Sequence, residues 1–327
     1  MHFWEDGGSN LLAGRDLHAG GTWLGVSRCG KFASVTNVPS SWENMVRFVE
    51  SKAKTTAFGS AAMLLVAVAV RVIRRHTIES STAAGSSSIF SAATGLLCAG
   101  LGVISSVGMA SARRRVNHPS RGQLVTEFLQ GTTENAEQFC KRMYKERRPY
   151  DGFNLVLTDS SGAWVLSNRD KAGITRLPRG LYGVSNATLE VPWAKLLYGK
   201  CRVLDVLLRV GSDPTLTEDT LVDLLMDVLA DDRHCPSAMG NAGRSGSAGW
   251  KAELERICVP PTRVPNAEVL SSEGERRPRH YGTRSSTVVL MDVSGRIKVV
   301  ERNLGDGKAV PGSMQNARRN TFEFCDI

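Results

Sequence analysis

Residues 153–167 hold Phe153-Asn-Leu-Val-Leu-Thr158 and Ala163-Trp-Val-Leu-Ser167, with Ser161-Gly162 just before the second run. Two runs rich in strand-forming side chains around a Gly-bearing turn predict a β-hairpin. The pattern recurs on both sides. Thr22-Trp-Leu-Gly-Val-Ser27 and Lys31-Phe-Ala-Ser-Val-Thr36 flank Arg28-Cys29-Gly30, where Gly supplies a positive φ. Ser286-Thr-Val-Val-Leu-Met291 and Arg296-Ile-Lys-Val-Val300 flank Ser294-Gly295, and Thr321–Phe324 reads as a last strand. Helical stretches lie between these hairpins. Ser120–Leu129 and Asn135–Tyr144 form one pair; a helix with Pro192 in its first turn runs through Leu208. Thr215 with Glu218 reads as a capping box before the stripe Leu221, Val222, Leu224, Leu225, Val228 and Leu229. Residues 231–280 are polar, rich in Gly, Ser and Pro, and read as loop. Hairpins separated by helices predict a layered α+β fold with antiparallel sheets.

One segment departs from this pattern. Between Trp42 and Pro119, Thr55–Val70 is a run of 16 residues without charge and Ser80–Ala112 a run of 33. A bilayer core needs about 20 apolar residues, a length that Ile89–Ala110 reaches; Phe58–Ile73 is shorter, and Arg71 would have to snorkel. Three readings stand side by side. The segment is a helical hairpin anchoring the chain to an internal membrane through 55–112, with Lys52, Lys54, Arg71, Arg74, Arg75 and Arg113–Arg115 at the headgroups. Or it is extraneous translated sequence such as a retained intron. Or it forms packed soluble helices, against which stands the lack of a polar face. The expected organisation is therefore 1–41 and 120–327 as two parts of one domain, with 42–119 inserted.

Composition narrows the function. The 327 residues are 42% apolar, enough for a substantial core, and carry 41 basic against 32 acidic side chains, a net +9. Residues 42–119 contain nine basic and three acidic residues, or +6, leaving +3 for the other 249. A nucleic-acid stripe would spread across the folded domain, so nucleic acid is not expected as a partner. Seven cysteines at 29, 98, 140, 201, 235, 258 and 325 are widely spaced, without a C-x-x-C pair. An opening of Met-His-Phe-Trp-Glu-Asp has no basic and apolar signal pattern, so reduced thiols facing cytosol are expected.

Nine short motifs occur in a telling order: Leu12-Ala-Gly-Arg-Asp16, Gly20-Gly-Thr-Trp-Leu-Gly25, Thr36-Asn37, Ser120-Arg-Gly122, Phe153-Asn-Leu155, Tyr182-Gly-Val-Ser-Asn-Ala187, Pro192-Trp193 with Lys195, Tyr281-Gly-Thr-Arg284 and Glu301-Arg302. In this order they resemble the transport and Golgi organisation protein 2 family, also called the NRDE family. The resemblance implies an αββα sandwich like the N-terminal-nucleophile hydrolases, here with a hydrophobic helical insertion. It also implies a role in Golgi organisation and protein secretion through lipid or haem handling, at the cytoplasmic face of the Golgi or another internal membrane, and leaves mitochondrial association open. Family members begin Met-Cys and carry Asn-Arg-Asp-Glu soon after; both would lie upstream of His2. Ser167-Asn-Arg-Asp170 looks like that signature but follows a different strand. An N-terminal Cys would act through its thiolate with its own α-amino group as base. Without it, no amidase activity is expected. The alternatives are an amidohydrolase whose start lies elsewhere and a membrane-tethered interaction module.

Candidate pocket residues are Asn37, Asn186, Trp193 and Arg284, each with two readings. An Asn amide can hold an oxyanion or a ligand carbonyl, and Arg can fork onto a carboxylate; equally, Asn37 and Asn186 cap turns and Arg284 pairs a surface acid. Trp23 and Trp193 either pack in the core or stack on a small hydrophobic ligand. Gly20-Gly21 lacks the following helix and Lys of a phosphate loop. His234-Cys235-Pro236 is the one combination suited to haem iron; the plainer reading is a loop thiol. No metal site and no other cofactor are expected.

Overall fold

The computed structural model describes residues 1–5, 10–17, 19–38, 58–60, 64–70, 96–102, 119–131, 133–146, 148–189, 193–235, 253–270, 276–292, 294–304 and 318–325. The chain opens with β1 (His2–Phe3), β2 (Leu11–Ala13), β3 (Leu24–Ser27) and β4 (Phe32–Asn37). Then come β5 (Phe58–Ser60), β6 (Leu64–Val70) and β7 (Leu96–Gly102), followed by helices α1 (Gly122–Gln130) and α2 (Ala136–Glu146). Strands β8 (Phe153–Asp159), β9 (Gly162–Ser167), β10 (Ile174–Leu177) and β11 (Gly180–Val184) lead to α3 (Ala194–Ser212) and α4 (Glu218–Leu229). The last strands are β12 (Thr262–Leu270), β13 (Arg276–Gly282), β14 (Ser285–Met291), β15 (Arg296–Asn303) and β16 (Arg318–Cys325).

These build a mixed α/β fold with large antiparallel sheets and four helices among the described residues. The first sheet runs β1-β2-β3-β4-β8-β9-β10 and the second β11-β6-β7-β14-β15-β16; a small third sheet runs β12-β13-β5. One face of the first sheet packs on α1 and α2 through Leu11, Val35, Leu155 and Leu157 against Leu124, Phe128 and Phe139. One face of the second packs on α3 and α4 through Val288, Leu290 and Val300 against Val203, Leu225 and Leu229. The remaining faces meet each other through Val26, Phe32, Val156 and Val165 on one side and Val289, Ile297, Val299 and Phe324 on the other.

Local chemistry explains the connections. All three expected hairpins form, and Gly30 (φ 72°), Gly162 (φ 127°) and Gly295 (φ 81°) take the positive φ their turns require. The Gly20-Gly21 motif is a packing contact: a Cβ on Gly21 would meet the Gly122 carbonyl carbon at 2.5 Å, and Thr22 N–H donates to Gly122 O. Buried Lys31 donates from Nζ to Gly131 O (2.5 Å) and Glu134 O (2.9 Å), satisfying carbonyls past the end of α1. Asn135 and Gln138 form a reciprocal capping box on α2. On α4 the expected cap is displaced. Thr217 accepts from Thr220 N–H at 3.1 Å, while Thr215 donates to Asp213. A cap oxygen must sit three residues before its N–H partner, and Thr217 meets that spacing where the helix starts at Glu218.

Two expectations need correction. The polar 231–280 stretch ends in strands β12 and β13, so it is not all loop. The helical insertion is not helical where it is described: Leu64–Val70 and Leu96–Gly102 pair antiparallel in the second sheet, with β11 and β14 on either side. A run that is apolar at every position shows no alternation, so periodicity cannot separate a strand from a buried helix. The sequence Leu-Leu-Val-Ala-Val-Ala-Val favours extended backbone through its β-branched residues. Among the described residues no helix is long and apolar enough to cross a membrane. Residues 71–95 and 103–118, which carry most of the expected anchor, lie outside the described residues.

Candidate functional site

Strand alternation sorts the inter-sheet layer into two ends. On β4, Ala33 and Val35 face the helices and Phe32 faces the second sheet, so Ser34 and Thr36 also point inward. On β8, Leu155 and Leu157 face the helices, leaving Asn154, Val156 and Thr158 inward. Register aligns the second sheet: Val184 pairs with Leu64, Leu64 with Gly102, Gly102 with Thr287 and Thr287 with Glu301. Ser185 follows Val184 at the end of this row. One end of the layer is mainly hydrocarbon, with Thr158 the hydroxyl beside Phe32; the other carries several amides and hydroxyls.

The polar end is tightly bonded yet incomplete. Asn154 is fully buried, and its Nδ2 donates to Ala187 O (2.7 Å) and Ser185 O (3.2 Å), with Thr36 Oγ1 at 3.4 Å. Thr36 Oγ1 donates to Ser185 O at 2.8 Å. Asn186 Nδ2 donates to Asn37 O at 2.9 Å, so two of the expected pocket residues do meet, across the gap between the sheets. Four buried atoms here have no hydrogen-bond partner among the described residues: Asn37 Oδ1, Asn154 Oδ1, Ser185 Oγ and, farther along the row, Thr287 Oγ1. Buried polar groups are nearly always paired, so these atoms make the polar end the candidate site. At the far edge of the row the Met1 ammonium lies on the buried Glu301 carboxylate.

The family model described as Transport and Golgi organisation 2 matches residues 1–56 and 100–306. The chain belongs to that family. The human Transport and Golgi organization protein 2 homolog is 32% identical over 211 residues, covering 62% of this chain and 67% of that protein. The bovine homolog is 33% identical over 195 residues (58% and 63%), and the mouse Transport and Golgi organization 2 homolog 29% over 219 (65% and 70%). The matched stretch thus spans about two thirds of these relatives. Every residue of the polar end falls inside the family match. Residues 57–99, with all of β6 and most of β7, fall outside it.

The other candidates of this family member lie elsewhere. Trp193 is the residue before α3, half-buried, with Lys195 Nζ 5.1 Å from its ring centroid. Lys195 itself is 2% exposed and donates to Leu254 O at 2.9 Å. Burial pulls its amine down to about 8. Arg284 is half-buried between β13 and β14, beyond Thr287 at the polar end of the second sheet, and its carbonyl accepts from Leu304 N–H. His234 and Cys235 follow α4. Arg256 donates to His234 Nε2 at 2.7 Å, and Cys235 Sγ donates to Glu255 O at 3.0 Å. Burial pushes the Cys235 thiol up to about 11, so it stays protonated at neutral pH. A protonated thiol and an occupied imidazole nitrogen do not fit haem iron, which binds thiolate or free imidazole. Asn168 of the Asn-Arg-Asp stretch is a turn clamp, accepting from Phe153 N–H and donating to Tyr150 O.

Asn154, Ser185 and Thr287 were not named as site candidates, although Asn154 and Ser185 lie within the Phe153-Asn-Leu155 and Tyr182–Ala187 motifs. Their signal is a small polar residue at an inward position of an otherwise apolar strand or at its end. Read singly, each looks like noise.

Proposed function

We propose that this chain acts in transport and Golgi organisation, the process its relatives are named for, as a ligand-binding rather than hydrolytic protein. The observation that carries this is buried Asn154, whose amide nitrogen is fixed on two carbonyls while its Oδ1 has no partner among the described residues. Chemistry at the described cysteines supports binding over hydrolysis. Cys29 sits at the β3–β4 turn, the opposite end of β4 from Thr36, and Cys325 pairs with Arg296 away from the polar row. Burial pushes the Cys140 thiol up to about 12 and Cys258 to about 11, the reverse of what a thiolate nucleophile needs. Fold likeness to the N-terminal-nucleophile hydrolases belongs to this reading, since those enzymes also face two antiparallel sheets. Lipid handling suits the site better than haem handling, because the polar end offers amide and hydroxyl groups and no iron ligand.

Native mass spectrometry of the purified chain tests this, with Asn154→Ala and Ser185→Ala beside the unaltered protein. A small-molecule adduct present in the parent and lost in both variants is expected. Adducts indifferent to both substitutions, or sustained turnover of an acyl amide by the purified chain, would overturn it.

A further inference from the structure

We propose that the polar end of the inter-sheet layer takes a ligand with a neutral primary carboxamide head, held by Asn154 Oδ1 and Ser185 Oγ. This rests on the ligand-binding reading above and specifies its chemistry. The first argument is the locked orientation of Asn154. Its Nδ2 faces Ala187 O at 2.7 Å and Ser185 O at 3.2 Å, both acceptors only. Flipping the amide would set its oxygen against two carbonyls, so the unpartnered atom is an acceptor. A ligand must therefore bring a donor to Asn154. Ser185 Oγ is 1% exposed as a residue and also unpartnered, and a hydroxyl both donates and accepts.

Charge decides among the donors. Thr36, Asn37, Asn154, Ser185 and Asn186 carry no charge, and Arg284, at the polar end of the second sheet, stands at the start of β14, three strands from β11. The Glu301 carboxylate lies on β15, four strands from β11, and holds the Met1 ammonium. An alkylammonium would thus be buried without a counter-charge, which is costly. A carboxylate would press acceptors onto Asn154 Oδ1 and lose its hydration besides. A simple hydrocarbon would leave both protein groups unpaired. A primary amide matches both needs: its N–H group donates to Asn154 Oδ1, and its carbonyl accepts from the Ser185 hydroxyl. No bond is made or broken in this step.

Calorimetric titration of the full chain with hexanamide, hexanoate and hexylamine separates the outcomes, because the three share one tail. Hexanamide is expected to bind, with the other two weaker by about tenfold or more. Ser185→Ala should weaken hexanamide about fivefold, the loss of one hydrogen bond. This variant keeps the fold intact because its hydroxyl has no partner to lose. Hexanamide affinity should also stay flat from pH 6 to pH 8, roughly the range in which a His contact would show. If hexanoate or hexylamine binds best and Ser185→Ala still weakens it, the amide class is overturned while the site stands. If Ser185→Ala alters binding of none of the three, the amide proposal and the ligand site fall together.

Discussion

The two ends of the inter-sheet layer are built on the same strands and do opposite things. At one end Phe32, Val156, Ile297 and Phe324 close hydrocarbon on hydrocarbon. At the other, Thr36 and Asn154 both donate to the Ser185 carbonyl, while Asn154 Oδ1 and Ser185 Oγ have no partner among the described residues. Stability and recognition are thus separated by a few residues along β4 and β8, and substitutions at the two ends should report different things.

The largest effect is expected at the hydrocarbon end. Phe32→Ala should cost about 3–5 kcal/mol in a denaturant titration, through lost transfer energy and the cavity left behind. A cost as small at Phe32 as at Ser185 would break the contrast. Buried Lys195 supplies a reference for polar burial outside the layer. Its folded-state amine titrates at about 8 against an ordinary 10.5, so the unfolded chain binds more protons between these values. Stability should therefore rise with pH from about 8 to 10.5, by ~3 kcal/mol in total. Lys195→Met should abolish that rise and leave the chain equally or more stable at pH 7. An unchanged pH profile in the variant would refute the assignment.

Smaller changes are expected at the polar end. Asn154→Ala removes the donor shared by Ser185 O and Ala187 O, at about 1–3 kcal/mol. Ser185→Ala should move stability by no more than about 0.5 kcal/mol, with its effect confined to ligand affinity. Smallest of all is Cys235→Ser. Its protonated thiol predicts the same haem titration spectra and affinity as the unaltered chain, and a lost Soret shift would show otherwise.

Much of this arrangement was legible in the amino-acid order. Gly30, Gly162 and Gly295 fixed three hairpins because their turns admit little else, and Asn135 started α2 through a capping box readable at three-residue spacing. Asn37 and Asn186 were each read as a pocket group or a turn cap, and the Asn186 amide donates to the Asn37 backbone carbonyl. Other features left weaker traces. Strands β10 and β11 carry Arg, Gly and Tyr with no clean alternation, so their period is faint. Strands β6 and β7 are apolar on both faces and mimic a membrane helix. Asn154 is a single polar residue inside Phe-Asn-Leu-Val-Leu, and only the register between β4, β8 and β11 shows that its neighbours across space are polar too. Thr215 lost the α4 cap to Thr217 by two residues, a margin that spacing rules alone do not resolve.

The placement of β6 ties one end of the layer to a stretch the family model does not match. Among the described residues β11, and through it the Ser185 carbonyl that anchors Asn154, joins the second sheet by laddering to β6. That strand lies in residues 57–99, between the two matched stretches. Removing those residues would leave in the sequence the segments that form the helices and the Phe32 end, whereas β11 would lose its ladder and need a substitute neighbour.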